Sequence, residues 1–427
     1  MQANSVGSEN SDLSRLAAQL EKTATDAVMF RRRLPQINSD CQSCGAFGGL
    51  PHLPESFGWP RSLLTGLPMH FLAEIDLGAL PTFGQRDLLP VTGSLIIFVD
   101  LSRLDAVSSG RVIYSTSPID LLRIERAPDD LPTLCDYASL MNIPWIRTAP
   151  SARIPRCFPR FVIEPVLMRT YQCAPNSGKH GEGAAYADLW RTRQKAAAEA
   201  AFGKPTEATY AMTDPSRVMA LLNAHLGRSD LNDGEVCPDD EWPYAWLFVD
   251  LVVGLIGDRP GARDWLDEAS KNNAFARLPR GQHQQFRSWC EGQVCHQPNF
   301  RWELNRTIGT SIQHGHVWLM TAGPDSYRLL PKHVIDVMQG YHAPLEWSSE
   351  ADGNHFQLTR HQMLGHPPAI QDETILRAEQ QILLLQLDSD YGMEWIWGDV
   401  GHLQFWVLPE DLAAKNFDNV EVTLSGG

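Results

Sequence analysis

The sequence predicts an α+β fold: a β-rich body drawn from the N- and C-terminal parts of the chain, with a helical insertion in the middle. Three observations predict it. Short apolar runs bounded by proline and glycine cluster between residues 68 and 168 and return after residue 355, as strands do. From about Tyr186 to Tyr341 the apolar residues recur instead at helical spacing. No self-similarity recurs at a period of about 20–50 residues, which excludes a solenoid. The expected division is 1–174 for the N-terminal helix and first β-rich part, 175–345 for the helical insertion, and 346–427 for the completing β-rich part.

Leu13, Leu16, Ala17, Leu20, Ala24, Ala27 and Val28 recur at helical spacing behind Ser11-Asp12 and predict an opening helix. Arg31-Arg32-Arg33 then falls where cations favour the C-terminal end of a helix. A loop rich in Pro, Cys and Gly follows. Strands are expected at His70–Ile75, Gly93–Asp100, Arg111–Tyr114 and Phe161–Met168. Residues 175–184, with Gly178, Gly181 and Gly183, read as an exposed linker. Helices are expected at Ala185–Ala201, at Val218–Leu226 behind Thr213-Asp214-Pro215, and around Ala262–Lys271, Gln282–Glu291, Leu304–Met320 and Pro331–Gly340. The longest apolar run, Ala245–Ile256, contains Asp250 and falls well short of the roughly twenty residues that span a bilayer, so it reads as a buried element. At the C-terminus, Leu383–Asp390, Trp395–Gly401 and His402–Leu408 read as three strands, closed by a helix over Pro409–Phe417.

A chain of 427 residues can bury a core without disulfides or metals. Its 43% apolar and 20% charged residues match a soluble globular composition. Most of the thirteen tryptophans sit inside apolar alternations and are expected in the core, the other reading being an aromatic recognition surface. A formal charge of −15 repels phosphate backbones and anionic lipids, so neither nucleic acid nor membrane is an expected partner. The first thirty residues lack the apolar core of a secretory signal, and a cytoplasmic location is expected. The eight cysteines are expected as reduced thiols packed like small apolar side chains.

Four segments carry a resemblance. They are Phe47-Gly-Gly-Leu-Pro-His-Leu-Pro54 continuing to Gly58-Trp-Pro-Arg61; Pro68-Met-His-Phe-Leu-Ala-Glu-Ile-Asp-Leu77 leading to Gly93-Ser-Leu-Ile-Ile-Phe98; Leu364-Gly-His-Pro367 with Ile370-Gln371; and the C-terminal block from Leu383 to Phe417. In this order they resemble the YwqG-like family, bacterial proteins of uncharacterised function. The resemblance implies a soluble α+β body and supplies no catalytic residue. The family's association with immunity roles implies an immunity-type or accessory protein. The middle of the chain matches none of the family's motifs and reads as an expansion.

Several constellations are candidates for chemistry. Cys41-x-x-Cys44 has the spacing of half a zinc site or of a redox pair, with Cys290, Cys295 and His296 as distant partners. Asp388-x-Asp390-x-Gly392, with Glu394 and Asp399 nearby, resembles a fragment of a calcium loop that lacks ligands in register. His314-x-His316 would not share a helix face. Gly-x-Ser-x-Gly, Walker A and Gly-x-Gly-x-x-Gly patterns are absent. The candidate ligand-binding residues are Gly48, Gly49, Trp59, Gln371, Gln386, Asp388 and Asp399, with a cleft at the Gly48-Gly49 loop as the expected site if they converge. No cofactor is expected and no metal is favoured. The leading expectation is a non-catalytic binding protein with a protein partner. The alternatives are an enzyme acting on a small molecule or sugar through a Gln, Asp and Trp cleft, and a structural zinc protein using Cys41 and Cys44.

Overall fold

Four consecutive buried residues, Ala27 to Phe30, mark the strand around which the fold is built. The structure, a computed structural model, describes residues 5–33, 43–134, 156–173, 182–203, 242–294, 315–331, 335, 345–347, 356–358, 361–368, 372–398 and 401–426. Helix α1 (Ser5–Lys22) ends earlier than its apolar spacing predicts, and the chain turns at Thr23 into β1 (Thr25–Arg33). The helical reading of Ala24, Ala27 and Val28 is therefore corrected. A strand covered on both faces shows no alternation, so its apolar run continues the helix pattern. The arginines are corrected with it. Arg31 and Arg33 reach Glu164 on one face of the sheet, while Arg32 points to the other face, as strand alternation requires.

The remaining strands are β2 (Gly45–Phe47), β3 (His52–Leu53), β4 (His70–Asp76), β5 (Ser94–Val99), β6 (Gly110–Ser115), β7 (Arg123–Ile124), β8 (Phe161–Thr170), β9 (Leu345–Trp347), β10 (Phe356–Leu358), β11 (Gln362–Met363), β12 (Ile382–Asp388), β13 (His402–Val407) and β14 (Glu421–Ser425). Nine of them join β1 in one antiparallel sheet, in the order β14-β13-β12-β11-β1-β8-β2-β4-β5-β6. The small pairs β3–β7 and β9–β10 stand apart from it. In the centre, β1 and β8 pair from Thr25↔Thr170 to Arg33↔Val162.

The terminal strands of this sheet approach each other. Val422 donates its backbone N–H to the Val107 carbonyl at 2.8 Å, Arg111 pairs with Asp418 at 2.9 Å, and the Tyr114 and Phe417 rings lie 5.6 Å apart. Gly110 lets them close, because a Cβ there would lie 2.2 Å from Val422 Cγ2. Side-chain packing over the seam removes two open edges without a full hydrogen-bonded ladder.

Val28, Phe30, Phe47, Leu95, Ile97, Leu385, Leu387, Leu403 and Phe405 share the main core. That core continues into α3 (Trp246–Ile256), into Phe286 and Cys290 of α5 (Arg280–Val294), and into Val317–Met320 of a helical stretch at 315–321. On the opposite face, Ala27, Met29 and Met168 pack under Ala198 of α2 (Glu182–Phe202), while α4 (Ala262–Ser270) follows α3. Trp242, Trp246, Trp395, Trp397 and Trp406 are all buried, which makes core fillers of them. The helices expected at 218–226 and 304–314, and most of that at 331–340, lie outside the described residues, as does most of the 175–184 linker.

The C-terminal reading needs one change. Trp395 to Trp397 form no strand beyond a single bridge between Trp395 and Asp390; the third strand is β14, reached through the short helix α7 (Pro409–Ala413). A second short helix, α6 (Asp372–Ala378), precedes β12.

Arg32 meets Asp390 here, across 358 residues of sequence. Its Nε donates to Oδ2 at 2.6 Å and its Nη2 to Oδ1 at 2.7 Å. His361 accepts from the Asp388 backbone N–H at Nδ1, so its Nε2–H donates to Asp390 Oδ2 at 2.9 Å. The Gly392 N–H adds a fourth bond at 2.9 Å, and any Cβ at 392 would strike the guanidinium. All three side chains are buried. Burial pushes the Asp390 carboxyl up, but Arg32 and the His361 hydrogen bond outweigh it and hold the group well below the usual carboxylate range. A carboxyl depressed in the folded state stabilises the fold above its unfolded value of about 4, and the contribution is lost as pH falls below that value. Urea unfolding should therefore show a steeper loss of stability from pH 5 to pH 3 in the wild type than in Asp390→Asn. Equal slopes would contradict the depressed carboxyl.

Candidate functional site

The structure separates the candidate residues into groups. Gln386 and Asp388 lie on β12, on the face opposite Leu385 and Leu387, in a buried polar row. Gln362, Gln386, Gln404 and Thr423 are successive register partners across β11, β12, β13 and β14. Gln404 donates to Gln386 Oε1 at 2.8 Å, and Gln386 donates to Asp388 Oδ1 at 2.8 Å. Gln362 donates to the carbonyls of Leu364 at 2.7 Å and His366 at 3.1 Å, and Thr374 of α6 closes over Gln404. His402 Nδ1 lies 2.6 Å from Asp388 Oδ1, off the line of a hydrogen bond. The expected buried amide at Gln386 thus finds its partners within its own sheet. It serves as an internal clamp.

Gly48 and Gly49 lie just beyond β2, four strands along the sheet from β12, and the Phe47 ring before them packs 4.8 Å from His361. The Gln386 and Asp388 side chains are taken up by bonds within the polar row. Gln371, Asp399, Cys41, Cys295, His296 and His314 lie outside the described residues. Cys44 is buried in the core with its thiol 3.6 Å from the Ile163 carbonyl, and Cys290 is buried on α5. His316 stacks on Tyr244. Asp388 and Asp390, read as a cation-loop fragment, are committed to Gln386 and to Arg32 with His361. Among the described residues, no group of three or more His, Cys, Asp or Glu side chains is placed to hold a metal ion.

At the glycine loop, both residues take left-handed backbone angles, φ +63° at Gly48 and +77° at Gly49. A Cβ at Gly48 would lie 2.1 Å from the Pro159 carbonyl oxygen, and one at Gly49 would lie 2.8 Å from Arg160 Cβ. The turn is stiff because only glycine fits both the angles and the approach. Beneath it Arg160 and His52 both bond to Glu74, a buried carboxylate of β4. Sequence reasoning missed this cluster. His52 and Glu74 stand inside quoted motifs, but Arg160 is 86 residues from Glu74.

Trp59 packs edge-on to Phe98 at 5.5 Å and donates its indole N–H to the Met69 carbonyl at 2.8 Å. It fastens a hairpin, residues 57–69, to the outer face of β5. Arg61 and Pro68 form a bridge, Ser62 N–H donates to Leu67 O at 2.9 Å, and Met69 N–H to Pro60 O at 3.0 Å. At the tip, Ser62 Oγ accepts from the N–H groups of Leu64 and Thr65, and the Thr65 hydroxyl donates to Asp100 at 2.9 Å. Burial pushes the Asp100 carboxyl up, yet the hydroxyls of Ser102, Ser62 and Thr65 outweigh it and leave it below its ordinary range.

This well-tied tip holds Leu63 98% exposed, with Phe57, Leu64 and Leu67 also exposed. Beside it runs a groove of about 400 Å³, walled by Phe57, Pro60 and Met69 of the hairpin, Arg111 and Ile113 of β6, and Val420. The groove therefore lies over the seam where the sheet's ends meet. The sequence signal was legible in principle: Leu63, Leu64 and Leu67 fall between Pro60 and Pro68, in a loop too short to bury them.

Fold and surface together define a mixed α/β protein organised on one curled antiparallel sheet, with an apolar hairpin beside its seam. The chain belongs to the family described as Domain of unknown function (DUF1963), that of the YwqG-like proteins, whose profile matches residues 45–156 and 276–425, more than half of the chain. None of the curated proteins matches it. The matched segments contain β2 to β7 and β9 to β14, whereas β1 and β8, the central pair of the sheet, lie outside them. Among the described residues, no helix is long and apolar enough to cross a membrane.

The polar row makes a stability prediction. Gln386→Leu should cost about 1–3 kcal/mol in urea unfolding, since it strands the Gln404 amide and removes a donor from Asp388. A neutral result would mean the row is not satisfied by these bonds.

Proposed function

We propose that this chain is a non-catalytic binding protein of the bacterial cytoplasm that docks a protein partner on the 57–69 hairpin. The observation that carries this reading is Leu63, held 98% exposed at a tip whose backbone is tied on both sides. A large apolar side chain held in water by rigid structure gains free energy only when something covers it, about 2 kcal/mol for a leucine. Three further exposed apolar side chains in the same hairpin turn a single residue into a patch. Because the hairpin is already ordered, docking costs little conformational entropy.

The surroundings favour one kind of partner: a protein surface with an apolar hollow for Leu63 and carboxylates at its rim. Arg61 and Arg111 line the groove, on a chain whose net charge is −15. Their present partners, Asp130 and Asp418, are solvent-exposed, and such pairs are worth little and exchange readily. An immunity-type or accessory role, in which the chain covers a surface of its partner, suits this arrangement. In this reading the helices between residues 175 and 345 are an insertion into the sheet-forming body and add specificity to it.

The test is a photo-cross-linking amino acid placed at position 63, with Val91, also well exposed, as the control position. Irradiation in host cells should give one discrete adduct from position 63 and not from 91. Adding Leu64→Asp and Leu67→Asp should abolish it while the thermal midpoint of the purified protein stays put. No adduct, or the same adduct from both positions, would remove the basis for the reading.

A further inference from the structure

A buried carboxylate that grips two side chains by their inner ends leaves their outer ends for another molecule. Glu74 is wholly inaccessible within β4. His52 donates Nδ1–H to it at 2.9 Å, the His52 backbone N–H donates at 3.0 Å, and Arg160 Nη1 donates at 3.1 Å. Among the described residues, no other partner takes His52 Nε2 or the Nε and Nη2 groups of Arg160. Both side chains reach solvent, at 17% exposure for His52 and 38% for Arg160.

The backbone around them is built to hold this arrangement. His52 sits in β3, which pairs with β7 through His52↔Ile124, while Pro51 O accepts from the Glu125 N–H at 2.9 Å. The next residue, Leu53, is buried with Phe71 and Phe98. Arg160 lies along Gly49, whose missing side chain leaves room for the arginine stem: a Cβ would come within 2.8–3.0 Å of Arg160 Cβ, Cγ and Cδ. The glycine pair of the motif is therefore the surface against which Arg160 is positioned.

We propose that His52 and Arg160 form a binding site for a small oxyanion, a phosphate or carboxylate group of a soluble ligand, with Glu74 as its buried anchor. Arg160 presents uncommitted guanidinium N–H groups in the fork geometry that suits such oxygens. His52, once protonated, donates from Nε2, and Glu74 offsets its charge from behind. On a chain of net charge −15, Arg160 is the cation on which an anion would settle, and Glu74 fixes its position. This site is independent of the hairpin, so the outcome at Leu63 does not bear on it.

The experiment follows the imidazole nitrogens of the ¹⁵N-labelled full chain by NMR during titration with inorganic phosphate and, separately, with acetate at constant ionic strength. The His52 resonances should shift saturably with at least one of them, phosphate alone marking a phosphate-type ligand and acetate alone a carboxylate-type one. The His361 resonances, from a ring buried against Asp390, should stay in place and report that the fold is intact. Arg160→Gln should weaken the response about tenfold, as loss of a charge-assisted hydrogen bond does, and Gly49→Ala should weaken it by displacing Arg160. A His52 signal unmoved by either anion, or a response unchanged in Arg160→Gln, would overturn the proposal. If Arg160→Gln does not fold, the wild-type titration alone decides.

Discussion

The buried ion pair between Arg32 and Asp390 is the constraint on which the rest of this molecule depends. It joins a strand near the start of the chain to a loop near its end, inside a core where an unpaired charge would cost several kcal/mol. Its geometry is what makes it tolerable: two parallel N–H···O bonds from Arg32, a third from His361 and a fourth from the Gly392 amide satisfy both carboxylate oxygens. The pair also ties β1 to the loop that follows β12. β1 stands between β11 and β8, so every hydrogen-bonded path from the C-terminal strands to the N-terminal ones, apart from the seam, passes through it.

From that centre the sheet curls until β6 and the β14 region touch, and the curl decides what the surface offers. The hairpin anchored by Trp59 lies on one side of the seam and the segment from Asp418 to Val420 on the other, which makes the groove a product of closure. The glycine loop has a similar logic on a smaller scale. Gly48 and Gly49 bend where no other residue could, and the bend lets Arg160 reach a carboxylate buried in β4. In both places a stiff backbone feature pre-positions side chains that the core does not need.

Much of this was legible in the sequence where periodicity is strong. Ser94–Val99 and Phe161–Thr170 show as strands because they are long, apolar and bounded by turn residues. Ala262–Ser270 and Arg280–Val294 show as helices by their spacing. β1 did not, since burial on both faces erases the alternation that distinguishes a strand from a helix. β2, β3, β7 and β11 are two or three residues long, too short to carry any period. Gln386 was legible as a buried amide in need of a partner, and Gln404 and Asp388 supply it. Contacts between distant residues were not: Arg32 with Asp390, and Arg160 with Glu74, are products of topology that no local pattern encodes.

Arg32 and Asp390 couple the two ends of the chain, and a double-mutant cycle measures that coupling directly. Arg32→Met and Asp390→Leu should each cost about 3–5 kcal/mol in urea unfolding, because each leaves a buried charge without its partner. The double variant, which buries no unpaired charge, should be less destabilised than the sum of the two by about 2 kcal/mol or more. Strictly additive costs would contradict this coupling, since the N- and C-terminal parts of the chain would then be held together by something other than this pair.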